Sequence, residues 1–119
     1  MKVIYIAGKY RDPDGEFWVR ENIRKAEAAA LFVWQYGGVA LCPHKNTAFF
    51  GGAPGCPDET WLKGDMELLH RCDAVWAIRD WLNSSGATAE VAEARKLTMR
   101  VLFSHQEVMD YLYEKDGDA

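Results

Sequence analysis

The sequence predicts an α/β fold built on a parallel sheet of four to five strands. Three observations carry this. Short apolar runs alternate with segments of helical periodicity along the whole chain. No internal repeat and no Pro/Gly-rich linker divides the 119 residues, so one domain over residues 1–119 is expected. With 49% apolar residues, the chain can fill one core.

The run Val3 to Ala7, ended by Gly8, predicts the first strand. A polar turn with Pro13 and Gly15 follows. From Glu16 to Gln35 the spacing is helical: Ile23, Ala26, Ala30 and Val33 share one stripe, while Arg20, Arg24 and Glu27 lie off it. Gly37-Gly38 stops this helix. Val39 to Cys42 predicts a second strand, ended by Pro43. His44 to Pro57 reads as a long irregular loop with an apolar tip at Phe49 and Phe50, and a loop of that length usually carries function or is disordered. Asp58 caps a helix expected to run to about Arg71, with Leu62, Met66 and Leu69 as its apolar stripe and Asp65 at the border. Ala74 to Ile78 predicts a buried strand. A turn with Asn83, Ser84, Ser85 and Gly86 then leads into a helix, with Glu90 in or near its first turn. A fourth strand is expected near Arg100 to Phe103, then a helix from about Gln106 to Glu114 and a frayed tail from Asp116.

Composition excludes several functions. A net charge of −4 and the lack of a Lys/Arg-rich run argue against binding a nucleic acid polymer. The apolar runs are too short to span a bilayer, and Met1-Lys2 leads straight into a strand rather than a signal peptide. Cys42, Cys56 and Cys72 are odd in number and form no C-x-x-C pair, which favours a cytoplasmic setting and no disulfide framework. Cys42, His44 and Cys56 match no zinc spacing, so neither metal nor cofactor is expected. No Walker motif or G-x-G-x-x-G occurs.

In a parallel sheet the strand ends after Ala7, Cys42, Ile78 and Phe103 open on one edge, where such folds bind ligands. Gly8 to Arg11, His44 to Gly52 and Asp80 to Glu90 therefore converge. Glu90 follows a small, polar, Gly-containing loop, where a carboxylate can stabilise or attack an electrophilic sugar carbon. It reads equally as an acid favoured near a helix N-terminus. Arg11, with Lys9 nearby, is a candidate anion ligand or a solvent-facing loop arginine. His44 reads as a substrate ligand or as a structural hydrogen-bonding group. Tyr5 reads as core, Trp76 as core and Trp81 as pocket wall.

Together these elements resemble the nucleoside 2-deoxyribosyltransferase superfamily. The resemblance runs through Ile4-Tyr-Ile-Ala-Gly-Lys-Tyr-Arg11, Cys42-Pro-His44, Gly64-Asp65 with Leu68-x-x-x-x-Asp73, and Ser84-x-Gly86-x-x-x-Glu90. The subgroup with the Pro43-His-x-Asn-Thr-x-Phe-Phe50 loop occurs in bacteria and their phages. The resemblance implies a flavodoxin-like or Rossmann-like three-layer sandwich that cleaves or transfers N-glycosidic bonds. It makes Glu90 the nucleophile, Asp65 the group handling the base's proton and Tyr5 the group orienting Glu90. Substrate contacts then fall to Gly8, Lys9, Arg11, His44, Ser84, Ser85 and Gly86. Ser84 and Arg11 match positions in the 2'-deoxynucleoside 5'-monophosphate hydrolases, which implies a 5'-phosphorylated substrate. Lys9 departs from the small or hydroxyl residue usual there, and no asparagine after Phe103 matches the one that transferases lend to a neighbouring subunit. The resemblance further implies a homodimer or larger symmetric oligomer, with Phe49, Phe50 and Trp61 closing over substrate, packing on a neighbour or folding back. The competing readings are a non-catalytic nucleotide-binding or sensing domain, and an unrelated flavodoxin-like module.

Overall fold

The computed structural model describes residues 1–114; the expected frayed tail from Asp116 lies outside the described residues. Four strands form within them: β1 (Val3–Ala7), β2 (Val39–Leu41), β3 (Ala74–Ala77) and β4 (Arg100–Leu102). They pair in parallel in the order β2-β1-β3-β4. Register sets Tyr5 between Leu41 and Val75, and Trp76 between Ile6 and Leu102.

Side-chain alternation along β1 sorts the helices into two layers. Ile4 and Ile6 pack with Ala26, Ala29 and Val33 of α1 (Glu16–Gln35) and with Val108 and Tyr111 of α5 (His105–Tyr113). Tyr5 and Ala7 point the other way, into a cluster with Leu69 of α3 (Asp58–Leu69) and Ala94 of α4 (Ser85–Lys96). The result is a three-layer α/β sandwich with both central strands covered, as parallel strands require. Each fully buried Ile or Val of this core contributes roughly 1.5–3 kcal/mol of apolar burial.

The α1 stripe forms where the 3.6-residue period put it. Its stop is steric as well as conformational. Gly37 takes φ 89°, and a Cβ on Gly38 would lie 2.7 Å from Leu112 and 2.9 Å from Val33. The expected irregular segment from His44 begins instead with a one-turn helix, α2 (Pro43–Asn46), because Pro43 supplies a helical φ at a position with no N–H to satisfy. Consecutive turns then carry the chain to Pro57. Among the described residues no helix is long and apolar enough to cross a membrane.

From β1 the chain steps to β2 on one side, then crosses to β3 on the other. This reversal opens a crevice beyond the carboxyl ends of β1 and β3, the position at which such sheets bind ligands.

Candidate functional site

The Tyr5 ring is fully buried beneath α3 and α4, and its hydroxyl donates to Oε2 of Glu90. Two local features aim Glu90 at it. Ser84 caps α4, its Oγ accepting from the Ala87 N–H at 3.1 Å. This start places Ala87, Val91 and Ala94 on the buried face, and Glu90 falls within that stripe just past the first turn.

Asp65 reaches the same place from α3. The expected stripe through Leu62 is rotated, since Leu62 is 55% exposed and Leu69 is the buried residue of this helix. The inward face instead runs through Trp61, Asp65, Leu68 and Leu69, so Asp65 is half-buried beside the sheet rather than at a solvated border. Three polar groups from three elements thus meet over the α3/α4 face of the sheet.

Their environment sets their protonation. Burial pushes the Glu90 carboxyl up to about 7; the Tyr5 hydrogen bond opposes this, and the nearby Asp65 charge adds to it. Burial alone pushes Asp65 up to about 6. Burial and then the Glu90 charge raise the Tyr5 hydroxyl far above its ordinary range, so it stays a neutral donor. Two carboxyls that titrate near neutrality, one of them hydrogen-bonded by a fixed phenol, can trade a nucleophilic state for a proton-donating one.

The loop after β1 forms the floor. A Cβ on Gly8 would meet Ile78 at 2.6 and 2.7 Å, so only glycine lets β1 pass this close to the end of β3. His44, buried on α2, donates from Nε2 to the Lys9 carbonyl at 2.9 Å. Burial lowers its pKa, and its buried Nδ1 has no hydrogen-bond partner among the described residues. This is the structural reading of His44: it ties α2 to the loop. Asn22 does the same from α1, donating to the Tyr10 carbonyl at 3.1 Å, and the Tyr10 hydroxyl accepts the Phe49 N–H at 2.9 Å.

The expected anion ligands are otherwise engaged. Arg11 pairs with Asp58 at 2.9 Å and Lys9 with Asp12 at 3.2 Å. The Ser84 oxygen accepts the capping bond, which leaves its own O–H to donate. Ser85 and Gly86 form the first turn of α4. Trp76 is core, and Trp81 stacks against Phe103 with ring centroids 5.8 Å apart. The apolar loop tip folds back in part, with Phe50 against Trp61 at 5.7 Å. Among the described residues no cluster of three or more His, Cys, Asp or Glu could hold a metal ion.

An open cleft of about 340 Å³ runs beside Asp65, walled by Asn46 and Thr47 on one side and Thr60, Trp61 and Leu68 on the other. Trp61 was among the residues expected to close over substrate, and Asn46-Thr47 lay in the Pro43 to Phe50 loop, but neither that polar pair nor Thr60 and Leu68 was singled out as a wall.

No curated protein matches the chain in sequence. Among solved structures it is similar to a 2-deoxyribosyltransferase from the psychrotolerant bacterium Bacillus psychrosaccharolyticus. That match has a TM-score of 0.64 and 18% identity, and covers 85% of this chain and 70% of that one. It is also similar to a 2-desoxiribosyltransferase from Leishmania mexicana, with a TM-score of 0.60 and 22% identity, covering 87% of this chain and 63% of that one. At these identities the likeness is one of fold, and it matches the flavodoxin-like or Rossmann-like architecture expected from the sequence. A family model covers residues 2–104, and the chain belongs to that family, the domain of unknown function DUF7768.

Proposed function

We propose that this protein cleaves or transfers the N-glycosidic bond of a nucleoside or nucleotide, with Glu90 as nucleophile. The observation that carries the reading is the buried Tyr5–Glu90 hydrogen bond with Asp65 beside it, at the switch point of the sheet. The fold shared with two deoxyribosyltransferases supports it.

The residues divide the work as follows. Tyr5 holds Oε2 of Glu90, leaving Oε1 to approach the anomeric carbon. As the bond from Oε1 to that carbon forms, the carbon–nitrogen bond breaks and its electron pair leaves with the base. Asp65, protonated, gives its proton to the departing base, and the cleft beside it has room for that base. Water or a second base then attacks the glycosyl-enzyme, Asp65 takes back a proton, and Glu90 is released as a carboxylate. Burial serves this chemistry because both carboxyls exchange protons near neutral pH.

A 5'-phosphate is the finer expectation. Ser84 at the N-terminus of α4 still has a hydroxyl proton to donate, and α4 directs its positive dipole end to that point. Arg11 must leave Asp58 to take part. Their pair is more than half exposed and holds it by only about 0–1 kcal/mol, less than the roughly 1.5–3 kcal/mol of a hydrogen bond to a charged group.

The test is release of free base, followed by chromatography, from a panel of ribo- and deoxyribonucleosides and their 5'-monophosphates, with and without an acceptor base. Turnover of at least one substrate that falls about a thousandfold in Glu90→Ala is expected. A substrate that binds without being turned over would move the assignment to a nucleotide-sensing domain.

A further inference from the structure

Gly64 is a glycine that the fold itself does not require. It stands in the middle of α3, where glycine is the least favourable residue after proline. Its backbone is helical, so no left-handed φ calls for it. Packing does not call for it either. A Cβ at Gly64 would meet no atom of the described residues within 4 Å, whereas a Cβ at Gly8 would lie 2.6 Å from Ile78.

What Gly64 does is border the open cleft beside Asp65. Trp61 and Leu68, three residues before it and four after, share its side of the helix and border the cleft as well. Their half-buried side chains stand as walls, and between them Gly64 offers only backbone. The cleft face of α3 therefore carries a notch. Burial fixes where the notch lies. Tyr5 is fully buried, Asp65 half-buried and Gly64 exposed, so the notch lies outward of Asp65, on the way from the sheet to solvent. Asn46 and Thr47 of the facing wall offer both donors and acceptors to the edge of a ring placed there.

We infer that Gly64 is a specificity-determining residue, which leaves α3 bare so that the second ring of a purine base lies against the helix backbone. The inference rests on the glycosidic chemistry proposed above, which puts the bond to the base between Glu90 and Asp65. A base that takes its proton from Asp65 extends outward from that point. A pyrimidine is one ring wide and ends there. A purine continues over α3 by a second ring, into the space that a side chain at position 64 would fill. Glycine is the residue that lets a backbone approach a ligand this closely. The helix gives up stability at the point where the larger base needs room.

The test adds a side chain at position 64 and reads stability and base preference separately. Gly64→Ala and Gly64→Leu are compared with the wild type by thermal denaturation and by base release. Binding is measured by calorimetry with Glu90→Gln added to each, so that the ligand is not consumed. The probes are the ribo- and deoxyribonucleosides of adenine and cytosine and their 5'-monophosphates. Both variants should fold, and Gly64→Ala should raise Tm by a few degrees, because alanine favours the helix and its methyl meets nothing. For adenine compounds, affinity and kcat/KM should fall roughly tenfold or more in Gly64→Ala and further in Gly64→Leu, while cytosine compounds change by less than about threefold. An adenine-to-cytosine ratio unchanged in both variants overturns the inference and leaves the glycosidic chemistry standing. An equal loss for both bases also overturns it, since Gly64 would then act through Asp65. If the wild type releases no base yet binds adenine compounds that the variants reject, the chemistry falls and the purine notch stands. A wild type that binds neither base overturns both.

Discussion

Replacing Glu90 with glutamine removes a charge that the fold holds out of water, and it should stabilise the protein while disabling it. The Glu90 carboxyl rises from 4.5 to about 7 on folding, chiefly through burial. A pKa raised in the folded state means that folding favours the protonated form. Its stability contribution is fully present below pH 4.5 and is lost as pH rises through about 7. At 1.36 kcal/mol per pKa unit, this amounts to about 3 kcal/mol by pH 8. Glutamine is neutral throughout, and its amide oxygen still accepts from Tyr5. Wild type and Glu90→Gln should therefore be equally stable near pH 4.5 and differ by about 3 kcal/mol at pH 8, the variant being the more stable. With an unfolding entropy of about 2.1 cal/mol/K per residue, the difference in Tm is on the order of 10 °C. His44 and the surface ion pairs contribute equally to both proteins and cancel in the comparison. Urea or thermal denaturation of the two proteins at matched pH values between 4.5 and 8.5 measures it. Parallel stability curves with no divergence above pH 6 would refute the claim that Glu90 is held as a strained carboxyl.

Base release should follow a bell-shaped pH profile centred between 6 and 7, because it needs Glu90 ionised and Asp65 protonated. Asp65→Asn should flatten the alkaline limb and slow substrates with poor leaving bases most. Tyr5→Phe keeps the ring in the core but removes the bond that lowers the Glu90 pKa, which already lies above that of Asp65, so the alkaline limb of the rate profile should move to higher pH and the maximal rate fall by roughly ten- to a hundredfold. Gly8→Ala forces a methyl against Ile78 at the floor of the site and should cost about 1–3 kcal/mol of stability by denaturant titration. If a 5'-phosphate is recognised, Arg11→Ala should raise KM for monophosphates by roughly ten- to a hundredfold and leave nucleosides unaffected.

The central sheet was legible in the sequence because β1 and β3 are uninterrupted apolar runs and α1 carries a long regular stripe. Lengths at the edges were less so: β2 stops at Leu41 because Pro43 starts a helical turn. A four-residue helix has no periodicity to detect, and α2 was hidden for that reason. Glu90 announced itself by its position after a small, polar, Gly-containing turn. A second signal lay in the helix itself, where a charge sits among Ala87, Val91 and Ala94. Asp65 was found through resemblance. Its helix carries only one fully buried residue, so the apolar pattern gave the wrong rotation. The ties of Arg11 to Asp58 and of His44 to the Lys9 carbonyl join residues far apart in the chain, and single-sequence patterns do not contain such pairings.

The most direct test of the account is to quench the protein with acid during turnover and examine its peptides by mass spectrometry. The account predicts that the peptide containing Glu90 carries the mass of the sugar, that the adduct appears no later than the free base, and that it is absent in Glu90→Gln. Base release at full rate from Glu90→Gln, or a sugar adduct on a different carboxylate, would contradict it.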